Sequence, residues 1–218
     1  MSSCQKQLNE MINMPRVSIL PISQENLLLT ISGSIVASLG FMYNDYSVIL
    51  GSMLISPLGQ PIIQSVLSML TNKGQNVANG LASFLVLTVV ALIIGFSMGQ
   101  LNRAYDYYQI PTDKMERLTS DEFLTTNFII GCFTGFFVAY SRAFNKVDVL
   151  HGFALVVALL PPIVNSGLYS SLAYNVRNSN PKLFQKYKEK SINSFKIAYA
   201  NVVGVALSTL LGFWIFCD

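Results

Sequence analysis

Six long, weakly charged apolar runs constrain this chain more than any other feature. They cover residues 26–43, 46–70, 77–100, 123–140, 149–174 and 194–216. A helix needs about 20 apolar residues to cross the hydrocarbon core of a bilayer, and inside that core the backbone must satisfy its own hydrogen bonds. The pattern therefore predicts an all-α, polytopic, integral membrane protein. Composition agrees: 52% of the 218 residues are hydrophobic and 11% charged, where a soluble domain carries roughly 25% charged residues. Residues 1–25, broken by Pro15 and Pro21 and lacking a signal-peptide pattern, are expected to form an extramembrane arm before a transmembrane domain at 26–217.

The runs divide into two halves of one design, a first repeat at 26–100 and a second at 122–217, joined by a polar connector at 101–121. Each half reads as a plain helix, a proline-interrupted segment and another plain helix. Pro57, Gly59 and Pro61 interrupt the second segment; Pro161 and Pro162 interrupt the fifth. Asp45 stands twelve residues before Pro57, and Asp148 thirteen before Pro161. Proline removes a backbone donor and clashes with the carbonyl four residues back. Broken helix at membrane depth persists only when buried in protein or lining a wet cavity. Matched breaks in two halves are therefore the best pointer to a transport site. Ser56, Gln60 and Gln64 cluster at the first break, and Asn165 and Ser166 follow the second. Such uncharged polar groups can line a path or join helices by hydrogen bonds.

Asp45 and Asp148 sit at segment edges, where ending a helix at the interface is the expected role; His151 lies one turn past Asp148 and could pair with it. Small residues recur at helical spacing, as in Gly33/Ala37, Gly95/Gly99, Gly131/Gly135 and Gly204/Ser208/Gly212, and mark close helix packing. Contacts within one chain and between chains are equally compatible with these rows.

The stretch 175–193 holds Arg177, Lys182, Lys186, Lys188 and Lys190 against Glu189 alone, and is expected to be a solvated cytoplasmic loop. Tyr105, Tyr107 and Tyr108 fall where an aromatic belt would lie. If both interrupted segments cross the membrane, nine Lys and Arg share one side against five on the other. The same nine and five result if both are re-entrant, so charge does not decide between the two. Expected partners are the lipid bilayer, further copies of the chain in a homo-oligomer, and anionic lipid headgroups near Lys182, Lys186, Lys188 and Lys190. Nucleic acid is not expected at a net charge of +3.

Catalytic chemistry finds little support. An Asp45–Asp148 carboxylate pair lacks the surrounding pattern of an aspartyl protease, and no nucleophile motif surrounds Ser52 to pair it with His151. Three cysteines at unrelated spacings and a single histidine offer no metal-ligand pattern. No enzyme activity, cofactor or metal is expected.

The run Val48-Ile49-Leu50-Gly51-Ser52-Met53-Leu54-Ile55-Ser56-Pro57-Leu58 resembles the signature of domain-of-unknown-function family 389, a group of uncharacterised polytopic membrane proteins. Gly152-Phe153-Ala154-Leu155-Val156-Val157-Ala158-Leu159-Leu160-Pro161-Pro162 is similar to that family's second run, and the resemblance covers about residues 26–215. Gly59-Gln60-Pro61-Ile62 stands where the family typically has Met-Gly-Pro-Ile, and the soluble N-terminal domain of many bacterial relatives is absent from this sequence. The resemblance implies an architecture and no activity. The functional expectation from the residues is a small-solute or ion pathway at the two broken segments; the alternative is a structural or scaffolding membrane protein without transport.

Overall fold

A computed structural model of the chain describes residues 23–70, 74–144 and 159–217. Among these residues the structure is helical, without strands: α1 Gln24–Met42, α2 Tyr46–Ile55, α3 Gly59–Leu70, α4 Gly74–Tyr105, α5 Asp113–Arg117, α6 Asp121–Ala143, α7 Leu160–Val176 and α8 Pro181–Cys217. By length and composition α1, α4, α6 and α8 each suffice to cross a membrane, and α2 with α3, bent by 46°, qualify together as a fifth span.

The polarity is the reverse of a soluble protein's. Leu85, Ile93, Phe133, Leu211 and Trp214 are each more than half exposed, while Thr30, Ser34, Ser38, Ser52, Asn165, Ser171, Ser194, Asn201 and Thr209 are completely buried. Several buried hydroxyls bond to their own helix one turn back, as Ser34 Oγ does to the Thr30 carbonyl (2.6 Å), Ser38 Oγ to Ser34 (2.8 Å) and Thr134 Oγ1 to Ile130 (2.8 Å). This satisfies the group without a partner helix.

Helix directions follow from which residues face each other. α2 runs back along α1, with Gly40 against Ile49 and Gly33 against Ser52. α3 and α4 are antiparallel, with Gly80 against Pro61 and Ser65. α7 runs with α4, Gly95 meeting Val164 and Gly167 and Gly99 meeting Ser171. Against α8 it is antiparallel, Pro162 bonding Ser194 and Ser166 bonding Ser191. α6 and α8 run the same way, Gly131 meeting Asn201 and Gly204, and Gly212 meeting Ala139. α7 is the central element: Leu160 through Tyr169 are all buried, and it packs on α1, α2, α4 and α8.

Tyrosines mark one end of the bundle, where the Tyr43 and Tyr108 rings lie 4.6 Å apart and Tyr105 stacks on Tyr107 at 5.5 Å. Phenylalanines mark the other, Phe216 lying 5.1 Å from Phe136 and 5.9 Å from Phe144. At about 1.5 Å per residue, the 32 residues of α4 and 37 of α8 outrun a hydrocarbon core of about 30 Å.

One expectation changes. The lysines of the basic stretch expected as a loop lie in the first half of α8: Pro181 opens that helix and the Leu183 N–H donates to Asn180 Oδ1 at 3.1 Å, so the sixth helical segment begins thirteen residues before position 194. The polar connector also contains the short helix α5, capped by Thr112.

Candidate functional site

Asn44, with φ 56°, turns the chain out of α1, and Asp45 caps α2 by accepting from the Ser47 N–H at 2.8 Å. α2 ends at Ile55, and Ser56 is extended at φ −85°, ψ 127°, the conformation favoured before a proline. The Gln60 N–H donates to the Pro57 carbonyl at 3.1 Å as α3 begins. Pro61 falls in that helix's first turn, where a missing N–H costs nothing. Pro57 and Leu58 are buried, and the buried Ser56 hydroxyl has no hydrogen-bond partner.

Pro161 and Pro162 occupy the first turn of α7, whose N-cap, Leu159, offers no side-chain cap. The start of α7 meets the end of α2 at one point on α1. A methyl group built on Gly33 would lie 3.2 Å from Leu160 Cδ2, 3.2 Å from the Ser52 carbonyl oxygen and 3.4 Å from Ser56 Cβ. Only glycine permits this approach without displacing a neighbour. Thr30, one turn from Gly33, is completely buried and its hydroxyl has no partner. The junction thus brings together a helix C-terminus, with partly negative carbonyls, and a helix N-terminus, with partly positive N–H groups. Two unpartnered hydroxyls accompany them.

Toward the tyrosine end a second polar cluster joins α5, α7 and α8. The Asn165 amide donates to the Met115 carbonyl and to Ser194 Oγ, each at 3.0 Å, and Ser194 donates to the Pro162 carbonyl at 2.9 Å. Ser191 donates to the Ser166 carbonyl at 2.9 Å and shares hydroxyl contacts with Ser166 (3.0 Å) and Ser170 (2.9 Å). Asn165 Oδ1 and the Tyr169 hydroxyl are buried without partners. Outside this cluster Glu116 pairs with Lys190. The hydrogen bond from that ammonium holds the Glu116 carboxyl below the usual carboxylate range, against a smaller opposing effect of burial.

Two clefts open at this end. One, of ≈ 720 Å³, runs between the connector and the α7–α8 turn, with Arg103, Asp106, Gln109, Asn175 and Tyr187 on its walls. The other, of ≈ 500 Å³, lies between α4, α7 and α8. The stretches 101–121 and 175–193 therefore lie together at one end, tied also by Arg103 donating to the Asn175 carbonyl at 3.4 Å.

The residues singled out in the sequence fall into separate places. Ser56, Pro57 and Gly59 lie at the α2 break and Pro161 and Pro162 at the α7 start, with Gly33 between them. Asn165 and Ser166 belong to the cluster beyond. Gln60 and Gln64 face outward from α3. Gly95, Gly99, Gly131, Gly135, Gly204 and Gly212 all pack against other helices of this chain. Lys182, Lys186 and Lys188 are exposed, while Lys190 is engaged with Glu116. Asp148 and His151 lie outside the described residues. Sequence reasoning missed Thr30, Met115, Tyr169, Ser191 and Ser194. The Thr30/Ser34/Ser38 row at four-residue spacing was a visible signal for the first of these, but nothing local tied it to the breaks.

The family described as "Domain of unknown function (DUF389)" matches residues 53–207. An uncharacterized protein of Methanocaldococcus jannaschii is 24% identical over 198 residues, which are 89% of this chain and 55% of that protein. The chain thus spans about half the length of this curated relative. No solved structure matches the chain.

Proposed function

The chain belongs to the DUF389 family, whose description assigns no activity, and from its geometry we propose that it carries a small polar or ionic solute across a membrane through the junction at Gly33. The observation that carries this is the meeting of the C-terminus of α2 and the N-terminus of α7, from opposite halves of the chain, beside the unpartnered Ser56 and Thr30 hydroxyls. Half-helix ends supply N–H groups to an anion and carbonyls to a cation without placing a charge in the hydrocarbon.

Helix directions support two inverted halves, with α1, α2–α3 and α4 in the first, and α6, the segment ending in α7, and α8 in the second. The contact between the two polar stretches supports both interrupted segments crossing, since re-entrant hairpins would put those stretches on opposite sides. The same end carries Arg103, Lys114, Arg117, Arg177 and the lysines of α8, which supports a cytoplasmic placement. Gln60 and Gln64 point away from the bundle at membrane depth, where an amide gains from a partner; this supports a homo-oligomer closing over α3.

A scaffolding role has its own support: among the described residues no Asp, Glu, Lys, Arg or His side chain is buried, and proton-coupled carriers generally use such a group. Flux separates the two. Proteoliposomes holding the full chain should pass at least one member of a panel of inorganic ions and small polar solutes. Gly33→Ala, which narrows the junction, should cut that flux at least fivefold. No flux across the panel, with neither Pro57→Ala nor Gly33→Ala altering any measured binding, would leave the scaffold.

A further inference from the structure

We propose that the ≈ 500 Å³ cleft between α4, α7 and α8 is a binding site for one anionic glycerophospholipid, with its phosphate held by Arg177 and Lys188. Arg177 follows the last turn of α7, and Lys188 lies on α8 facing the same cleft. Among the described residues neither has an acidic partner, since the recorded ion pair is Lys190 with Glu116 and the nearby Glu189 accepts from Gln185. Two free cations on the wall of one cleft attract a phosphate and repel a cationic occupant.

The lining combines charge, hydroxyls and apolar surface. Ser170 and Ser191 line it with the two cations, their hydroxyls 2.9 Å apart. Ser170, only partly buried, keeps hydrogen-bonding capacity for an ester oxygen. Phe96 and Ile192 form an apolar wall, and Ile192 is 45% exposed on the outer surface of the bundle. Two cations, two hydroxyls and an apolar wall on one cleft supply partners for headgroup, glycerol ester and acyl chain. A free phosphate would use the two cations alone. Basic pockets between helices at the cytoplasmic face are suited to such headgroups. The charge pattern of the sequence pointed to four lysines of α8; the structure removes Lys190, which Glu116 occupies, and adds Arg177 from another helix. Solute transport is not required for this site.

The test uses the purified full-length protein in detergent, titrated with short-chain phosphatidylglycerol or phosphatidylcholine and followed by native mass spectrometry. Wild type should bind one phosphatidylglycerol at least tenfold more tightly than phosphatidylcholine. Arg177→Gln/Lys188→Gln should lose at least tenfold in that affinity. Lys182→Gln/Lys186→Gln, with the same charge change outside the cleft, should lose less than twofold, and Arg177→Lys/Lys188→Arg should retain binding. Equal losses in the two charge-removing variants would overturn the site in favour of diffuse attraction. Should the cleft variant fail to fold, the wild-type comparison decides alone: equal affinity for the two lipids overturns the proposal. Glycerol phosphate or inorganic phosphate displacing the lipid at millimolar concentration would overturn the lipid assignment in favour of a soluble phosphate.

Discussion

Glu116 reaches from α5 to Lys190 on α8 and fastens the connector to the end of the bundle. With its carboxyl about half exposed, the pair adds at most about 1 kcal/mol. Because the pKa of Glu116 is lowered in the folded chain, its contribution is complete above the ordinary carboxylate value of about 4.3 and disappears as pH falls through the lowered one. Wild type should therefore melt slightly above Glu116→Gln at pH 7, and the difference should shrink as the pH falls below the ordinary carboxylate value; a gap that grows on acidification would contradict the pairing. At this scale the sequence was partly informative. Pro57, Pro161 and Asn165 could be singled out because proline and buried amides carry a physical cost wherever they stand. Met115 could not, since its carbonyl is recruited by Asn165 from fifty residues away and no local pattern in Asp113–Arg117 encodes that.

Between elements, close packing replaces the hydrophobic drive that lipid cannot supply. The α6–α8 seam shows it most directly: a methyl group on Gly204 would sit 2.7 Å from the Phe128 carbonyl and 3.1 Å from the Cys132 nitrogen. Gly204→Val should force these helices apart at a cost of about 1–3 kcal/mol, read as a lowered melting temperature in detergent. Ala206→Val, on a partly buried position of the same helix, should do far less. Equal effects would mean that α6 and α8 do not meet at Gly204. Glycine spacing made these faces legible, but not their partners. The start of α8 was misread because hydropathy separates apolar from polar residues, not helix from loop. Asn180 followed by Pro181, an N-cap residue and a first-turn proline, was the available signal.

For the whole molecule, membrane character was legible from the apolar runs alone, while the course of the interrupted segments was not. Lys and Arg divide nine to five whether those segments cross or re-enter, so only contacts between distant parts distinguish the two. Arg103 with Asn175 and Glu116 with Lys190 are contacts of that kind, and the proposed crossing rests on them. The same long-range packing places Leu160 and Ser56 against Gly33, bringing the end of α2 and the start of α7, far apart in sequence, to one point. The proposed pathway requires that point to be wet. With Cys4, Cys132 and Cys217 replaced by alanine, single cysteines at Ser56→Cys, Thr30→Cys and Leu85→Cys can be exposed to a small charged thiol reagent in proteoliposomes. Leu85, 61% exposed on the outer face of α4, serves as the lipid-facing reference. Modification of Ser56→Cys and Thr30→Cys at rates well above Leu85→Cys is the expected result; junction cysteines as inert as Leu85→Cys in a folded protein would contradict a pathway through Gly33.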